Sequence, residues 1–257
     1  MNRRNFFQEN GYVVVEDLIP DNVIQMYREY WISSHAPQYD GTVVSMENKM
    51  GWKESNPFMD HEPILEILCH DNVYRLFDEV GLEKMALHLS FTPWYSTEKT
   101  WHHDYNQNDT VSASNYVGLW IALQDINPDS GPFAFIPGSN NWDFDFSIYK
   151  NPNPEQIVMY IQNVINNKGQ PQVFLPRKGS VLLWQGHTIH RGLNPVNTDI
   201  PRESIIGHYV SGINGKGSDQ AKMFRSYKNG FYVRHRNQVD DLYYTDQYGN
   251  NIIKENN

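Results

Sequence analysis

Cysteine is nearly absent, with Cys69 the one thiol in 257 residues. A lone cysteine closes no internal disulfide and cannot build a thiolate zinc site, which needs several. Long apolar runs are missing too. Nothing approaches the roughly 20 apolar residues of a membrane span, and Met1 to Asn5 lacks the apolar run of a secretory leader. Together these absences predict a cytoplasmic protein in a reducing compartment. Positive charge is in deficit, with 21 Lys and Arg against 30 Asp and Glu and a net charge of −9. Phosphate contacts need clustered cations, so non-specific nucleic-acid binding is not expected. The richest basic stretch, Lys222 to Arg236, is interrupted by aromatics and reads as a solvated face. No internal repeat or low-complexity tract is visible. What is present is ordinary globular material, 39% hydrophobic, 14% aromatic and 20% charged. The expected partner is a small molecule, neither nucleic acid nor membrane, and oligomeric state is not legible.

The chain divides by texture. Its first 84 residues alternate helical and loop signals: a short helix over residues 3 to 10 stopped by Gly11, a strand over Tyr12 to Glu16, and a helix opened by Pro20. Residues 36 to 60 read as a loop with a short pairing at Thr42 to Ser45. A second helix spans Pro63 to Val80 and ends at Gly81. Strands and turns follow. The strands are expected at Met85 to Trp94, Val117 to Ile126, Phe133 to Ile136, Val173 to Leu175, Ser180 to Gln185 and Ser204 to Val210. Strong turns lie at Asn127 to Gly131 and at Pro137-Gly138-Ser139. Helices first and many short strands after predict a mainly β barrel or sandwich with helices packed outside, in one domain spanning 1–257. Its parts are a helical support (1–84), a barrel (85–210) and a C-terminal extension (211–257). Residues 140–172 break the strand rhythm with an aromatic, acidic run and a helix at Pro154 to Asn167, which reads as an insertion over one barrel end and a candidate lid. Gly249 to Asn257 is expected to fray.

Chemistry concentrates at Trp101-His102-His103-Asp104. In extended backbone His102 and Asp104 leave the same face, so an imidazole and a carboxylate can converge on one point. A second imidazole would complete the 2-His-1-carboxylate set that non-haem iron(II) oxygenases use. Taken alone the motif is weak, and a histidine near an apolar strand is more often a structural hydrogen-bonder than a ligand. Context decides. The strand Ser180 to Gln185 runs into a polar turn carrying His187 and His190. Twelve residues beyond His190 comes Arg202, with Ser204, Ile206 and His208 on its face by period two. Three residues separate His187 from His190, so extended backbone points them oppositely; an early bend would exchange their roles. His103 should face away from the metal, and Arg191, beside His190, should face solvent.

These residues, with Gly11 to Val15, Leu119 to Leu123, Ser130-Gly131-Pro132, Ile136 to Ser139, Gly179-Ser180 and Asn194, resemble the phytanoyl-CoA dioxygenase-like family of Fe(II)/2-oxoglutarate oxygenases in order and spacing, from residue 11 to 210. The resemblance implies a double-stranded β-helix (jelly-roll, cupin-like) barrel. It implies that His102, Asp104 and His190 bind Fe(II), that Arg202 holds the distal carboxylate of 2-oxoglutarate, and that Trp120 stands beside that co-substrate. A planar, permanently charged guanidinium suits a carboxylate better than lysine's point charge. O2 would be the third participant, with succinate and CO2 released. A carboxylate at position 104 favours hydroxylation, because halogenating relatives carry a small residue there. The polar and aromatic stretches Tyr105 to Asp109 and Ser112 to Tyr116 suggest a small polar substrate. Two alternatives stay open: a ligand-binding member of the same fold without turnover, and a cupin-like metal isomerase or lyase.

Overall fold

The computed structural model describes residues 2–35, 51–52, 56–104, 116–149, 153–210, 224–234, 243–245 and 251–253. Helix α1 (Arg3–Asn10) opens on Asn2, whose side chain accepts from the Asn5 N–H at 2.8 Å, and closes on left-handed Gly11. Strand β1 (Tyr12–Val15) follows, then α2 (Asp21–His35), which buries Ile24, Tyr27 and Trp31 along one stripe. The pairing expected at Thr42 to Ser45 lies outside the described residues.

The single helix expected over Pro63 to Val80 is two: α3 (Glu62–Leu68) and α4 (Asp71–Glu79). Both halves bury apolar stripes, so periodicity runs through the break. The break is made by satisfied ends. Tyr209 Oη donates to the Leu68 carbonyl at 2.7 Å and Asn229 Nδ2 to the Cys69 carbonyl at 3.0 Å, taking carbonyls that a continuing helix would use. His70 is extended, and its Nδ1 accepts from the Asn72 N–H at 3.2 Å, an imidazole acting as N-cap.

The strands are β2 (Ala86–Phe91), β3 (Tyr116–Ala122), β4 (Phe133–Phe135), β5 (Gln172–Phe174), β6 (Val181–Gln185), β7 (His190–Gly192), β8 (Ser204–Val210), β9 (Phe224–Ser226) and β10 (Tyr232–Arg234). Two of them stop short of expectation, at Phe91 rather than Trp94 and at Ala122 rather than Ile126. A seven-stranded sheet has the order β1-β6-β3-β8-β2-β10-β9, and a three-stranded sheet the order β5-β4-β7. The larger sheet draws on more of the chain than residues 85–210. β1 closes one edge against β6, while β10 joins β2 in parallel, a pairing that no local turn signal announces. A two-stranded ribbon pairs β11 (Tyr243–Thr245) with β12 (Asn251–Ile253), so three residues of the stretch expected to fray form a strand, and the rest of that stretch lies outside the described residues.

Period-two alternation sorts the large sheet's side chains into two layers. Val117, Leu119, Ile121, Val181, Leu183, Ile205 and Tyr209 pack outward against the four helices. Trp120, Leu182 and Trp184 point inward, onto Phe133, Phe135 and Phe174 of the small sheet. Two facing layers, antiparallel apart from the β10–β2 pair, around an aromatic interior make the jelly-roll barrel. Within 140–172, α5 (Pro154–Lys168) is capped by Asn153 and lays Ile161 and Ile165, with Phe144, against Trp101, Ile136 and Ile189.

Candidate metal centre

His102 and His190 lie directly opposite each other in an antiparallel bridge, exchanging both backbone hydrogen bonds at 3.1 and 3.0 Å. Residues far apart in sequence thereby put their side chains on one face, ring centroids 4.3 Å apart. The next same-face position along the first segment is Asp104. Its Oδ1 lies 3.8 Å from His102 Nε2 and 3.5 Å from His190 Nε2. One donor atom from each of the three falls within 4.8 Å of the others. Of the two histidines in the β6–β7 turn, His190 is the one that joins Asp104, because the bridge fixes its register. That turn is tied down by α1: Thr188 Oγ1 and the Gln185 N–H both donate to the Gly11 carbonyl, and Gln185 Nε2 donates to Phe7.

The donor set is oriented for a cation. Nδ1 of His102 stands 2.8 Å from the Thr100 carbonyl and Nδ1 of His190 2.9 Å from that of Thr188. A carbonyl only accepts, so each Nδ1 carries a proton and each Nε2 is the ring nitrogen left to face Asp104 and an incoming cation. Burial, then the charges of His190 and Lys99, lowers His102 well below the ordinary imidazole range and keeps it neutral. Burial would raise the Asp104 carboxyl, but His190, His208 and His102 outweigh it and hold it well below the carboxylate range. Trp184 Nε1 donates to Asp104 Oδ2 at 2.9 Å, leaving Oδ1 toward the imidazoles. Two imidazoles and one carboxylate fit a first-row divalent ion and suit Fe(II).

Arg202 enters the same interior just ahead of β8. It is 2% exposed, and burial lowers its guanidinium to about 10, so it stays charged at neutral pH. Nη1 donates to the Gly131 carbonyl at 2.6 Å, which the Asn127 to Gly131 turn presents. Nε has no hydrogen-bond partner among the described residues, and the same holds for Trp120 Nε1, whose ring centroid lies 6.0 Å from the guanidinium carbon. Leaving a buried donor unpaired costs about 1–3 kcal/mol. Two such donors side by side point to an acceptor-bearing ligand. Gly192, two residues beyond His190, places Arg202 relative to the triad: a Cβ there would lie 3.5 Å from Nη1.

The other expected positions divide cleanly. His103 points away from the triad, its ring 4.4 Å from Phe144 and 5.4 Å from Phe146, and His187 meets Phe146 at 4.8 Å. Arg191 lies over Trp101 and donates to Asn194. His208 faces inward, with Nδ1 3.6 Å from Asp104 Oδ2. The stretch 105–115 lies outside the described residues. Trp184 was not singled out by sequence reasoning; period two from Leu182 puts it inside, but only strand register brings it to Asp104.

Just beyond His208, His88 is buried beside Tyr116 and Phe224. Burial first, then Arg234 and His208, lowers its imidazole to about 3. An unfolded chain protonates it near about 6.5. Between those values the unfolded state holds the extra proton, so this contribution to stability is intact above pH ~6.5 and drains as pH falls toward ~3. Denaturant unfolding of the metal-free protein should therefore lose up to about 2 kcal/mol from this residue between pH 6.5 and 5. H88Q should have a correspondingly flatter profile, and an unchanged slope would contradict the assignment.

A jelly-roll barrel with a His-x-Asp pair and a distant histidine converging inside it is the architecture of a mononuclear non-haem metal enzyme class. The sequence profile of the phytanoyl-CoA dioxygenase (PhyH) family matches residues 7–204, and the chain belongs to that family. Human peroxisomal phytanoyl-CoA dioxygenase is 23% identical over 86% of this chain and 72% of its own length. The rat phytanoyl-CoA dioxygenase domain-containing protein 1 is also 23% identical, over 58% of this chain and 54% of its own. Among solved structures, the non-haem α-ketoglutarate-dependent epimerase SnoN from nogalamycin biosynthesis superposes with a TM-score of 0.60 at 15% identity, covering 91% of this chain and 95% of its own. EctD from S. alaskensis with 2-oxoglutarate and 5-hydroxyectoine gives 0.55 at 17% identity, covering 81% and 75%. At these identities the structural likeness is one of fold. No helix among the described residues is long and apolar enough to cross a membrane.

Proposed function

We propose that the chain is an Fe(II)- and 2-oxoglutarate-dependent dioxygenase that hydroxylates an unactivated C–H bond of a small polar molecule. The observation that carries the reading is the convergence of His102, Asp104 and His190 within 4.8 Å. Arg202 Nε and Trp120 Nε1 support it as buried donors that find no acceptor among the described residues, and family membership supplies the reaction class. When bound, iron with 2-oxoglutarate and O2 supplies the oxidising power, the diacid leaving as succinate and CO2.

The protein's own share is positioning and exclusion of water. His102 and His190 would present Nε2 to the ion because backbone carbonyls hold their Nδ1 protons. Asp104 supplies the single negative charge through Oδ1. The Arg202 guanidinium would donate to the distal carboxylate of the diacid, and Trp120 Nε1 adds a second donor to the same region. Phe133, stacked on His190 at 5.2 Å, and Trp184 wall the metal from solvent on the small-sheet side. The described parts of the 140–172 insertion, packed through Phe144 against His103, would cover that end.

Succinate formation from 2-oxoglutarate, measured aerobically with Fe(II) and without any prime substrate, is the direct test. Slow turnover that stops on chelation of the metal is expected, together with a visible absorption band when Fe(II) and 2-oxoglutarate are added anaerobically. Absence of both would leave the ligand-binding or isomerase alternatives standing.

A further inference from the structure

One row of cross-strand partners runs Trp184, Gly118, His208, since Gly118 pairs with Trp184 on β6 and with His208 on β8. All three positions face the barrel interior, and the central one has no side chain. A Cβ at Gly118 would lie 2.1 Å from Trp184 Cζ2, so the indole lies down over the glycine and reaches Asp104 Oδ2 at 2.9 Å. From the other side His208 brings Nδ1 to 3.6 Å from the same oxygen, its ring edge-on to the indole at 88°. The imidazole is 7% exposed, and its Nδ1 has no hydrogen-bond partner among the described residues. The two oxygens of Asp104 are thus divided. Oδ1 belongs to the imidazoles of His102 and His190, and Oδ2 to Trp184 and His208.

We infer that Trp184 and His208 are positioning residues that clamp Oδ2 and make Asp104 a one-oxygen ligand, His208 closing the last few tenths of an ångström when Oδ1 takes up a divalent cation. The inference rests on the metal reading above and adds to it the device that keeps the centre open. A carboxylate with both oxygens free can chelate, occupying two positions around the ion. The Trp184 N–H on Oδ2, joined by His208 Nδ1 once it closes from 3.6 Å, would occupy that oxygen's lone pairs and fix the carboxylate's rotation, leaving a chelating diacid and O2 the positions they need. Gly118 belongs to the device, because any side chain there would displace the indole.

The test uses the full chain and Mn(II) alone as probe. Calorimetry gives its affinity, and EPR line broadening in 17O-enriched water counts the waters on the bound ion. W184F and H208F should each weaken Mn(II) by about tenfold or more and bind it with one fewer water than wild type, as Asp104 turns chelating. H208Q, which keeps an N–H donor, should recover most of the affinity and the wild-type water count. A merely structural role would lower the metal-free Tm while leaving affinity and water count intact, and that outcome in H208F and H208Q overturns the clamp. No Mn(II) binding by folded wild type would instead overturn the metal reading beneath it.

Discussion

Replacing Asp104 with alanine should abolish metal binding at micromolar protein and reduce 2-oxoglutarate-dependent succinate formation to background. The size of the effect follows from what the residue supplies. It is the only negative charge among the three donors, and Oδ1 stands between the two Nε2 atoms at 3.8 and 3.5 Å. Outer partners of metal ligands are already worth about 10–100-fold in affinity, so loss of a ligand and its charge should exceed about 100-fold. D104N separates charge from shape. It keeps an acceptor for Trp184 Nε1 and nearly the same volume, so the metal-free fold should hold while metal affinity falls. Calorimetry with Mn(II) and a metal-free melting curve on both variants check this. Full activity in D104A would remove the residue from the ligand set.

The second large effect concerns Arg202, where stability and binding should move in opposite directions. A buried guanidinium whose Nε finds no partner among the described residues is a cost to the empty protein. Replacing buried charges by apolar side chains of similar volume is often neutral or stabilising by about 1–4 kcal/mol. R202M should therefore melt at or above the wild-type temperature without ligand, even though it gives up the bond to the Gly131 carbonyl. With Mn(II) and saturating 2-oxoglutarate the order should reverse. Wild type gains about 2.7 kcal/mol from the diacid at a hundredfold excess over Kd, whereas R202M, which keeps the triad but has no cation for the distal carboxylate, should gain what Mn(II) alone gives and little more. R202K should fall between, keeping charge but losing the two-pronged grip. Equal stabilisation of wild type and R202M by 2-oxoglutarate would move the anion site elsewhere.

How much of this was legible in the sequence depends on how local each signal is. Gly11 as a helix stop, the alternation of β6 and β8, and the shared face of His102 and Asp104 are properties of a few consecutive residues, and they read directly. The break between α3 and α4 did not. Its carbonyls are satisfied by Tyr209 and Asn229, far along the chain, while the apolar stripe continues across it. The family resemblance selects His190 over His187, since spacing alone leaves an exchange of roles open; the physical reason is the antiparallel bridge to His102, a fact of register. Trp184 reads as one more aromatic core residue until Gly118 is seen beside it with no room for a Cβ. The parallel pairing of β10 with β2 has no local signature because no turn joins them.

A crystal grown anaerobically with Fe(II) and 2-oxoglutarate, with anomalous data collected on either side of the iron edge, addresses the whole account at once. The expected map has one iron peak bonded to Nε2 of residues 102 and 190 and to a single oxygen of residue 104, with the far carboxylate of the diacid against the guanidinium of residue 202. An iron peak away from those three side chains, or a diacid whose far end ignores that guanidinium, would contradict it.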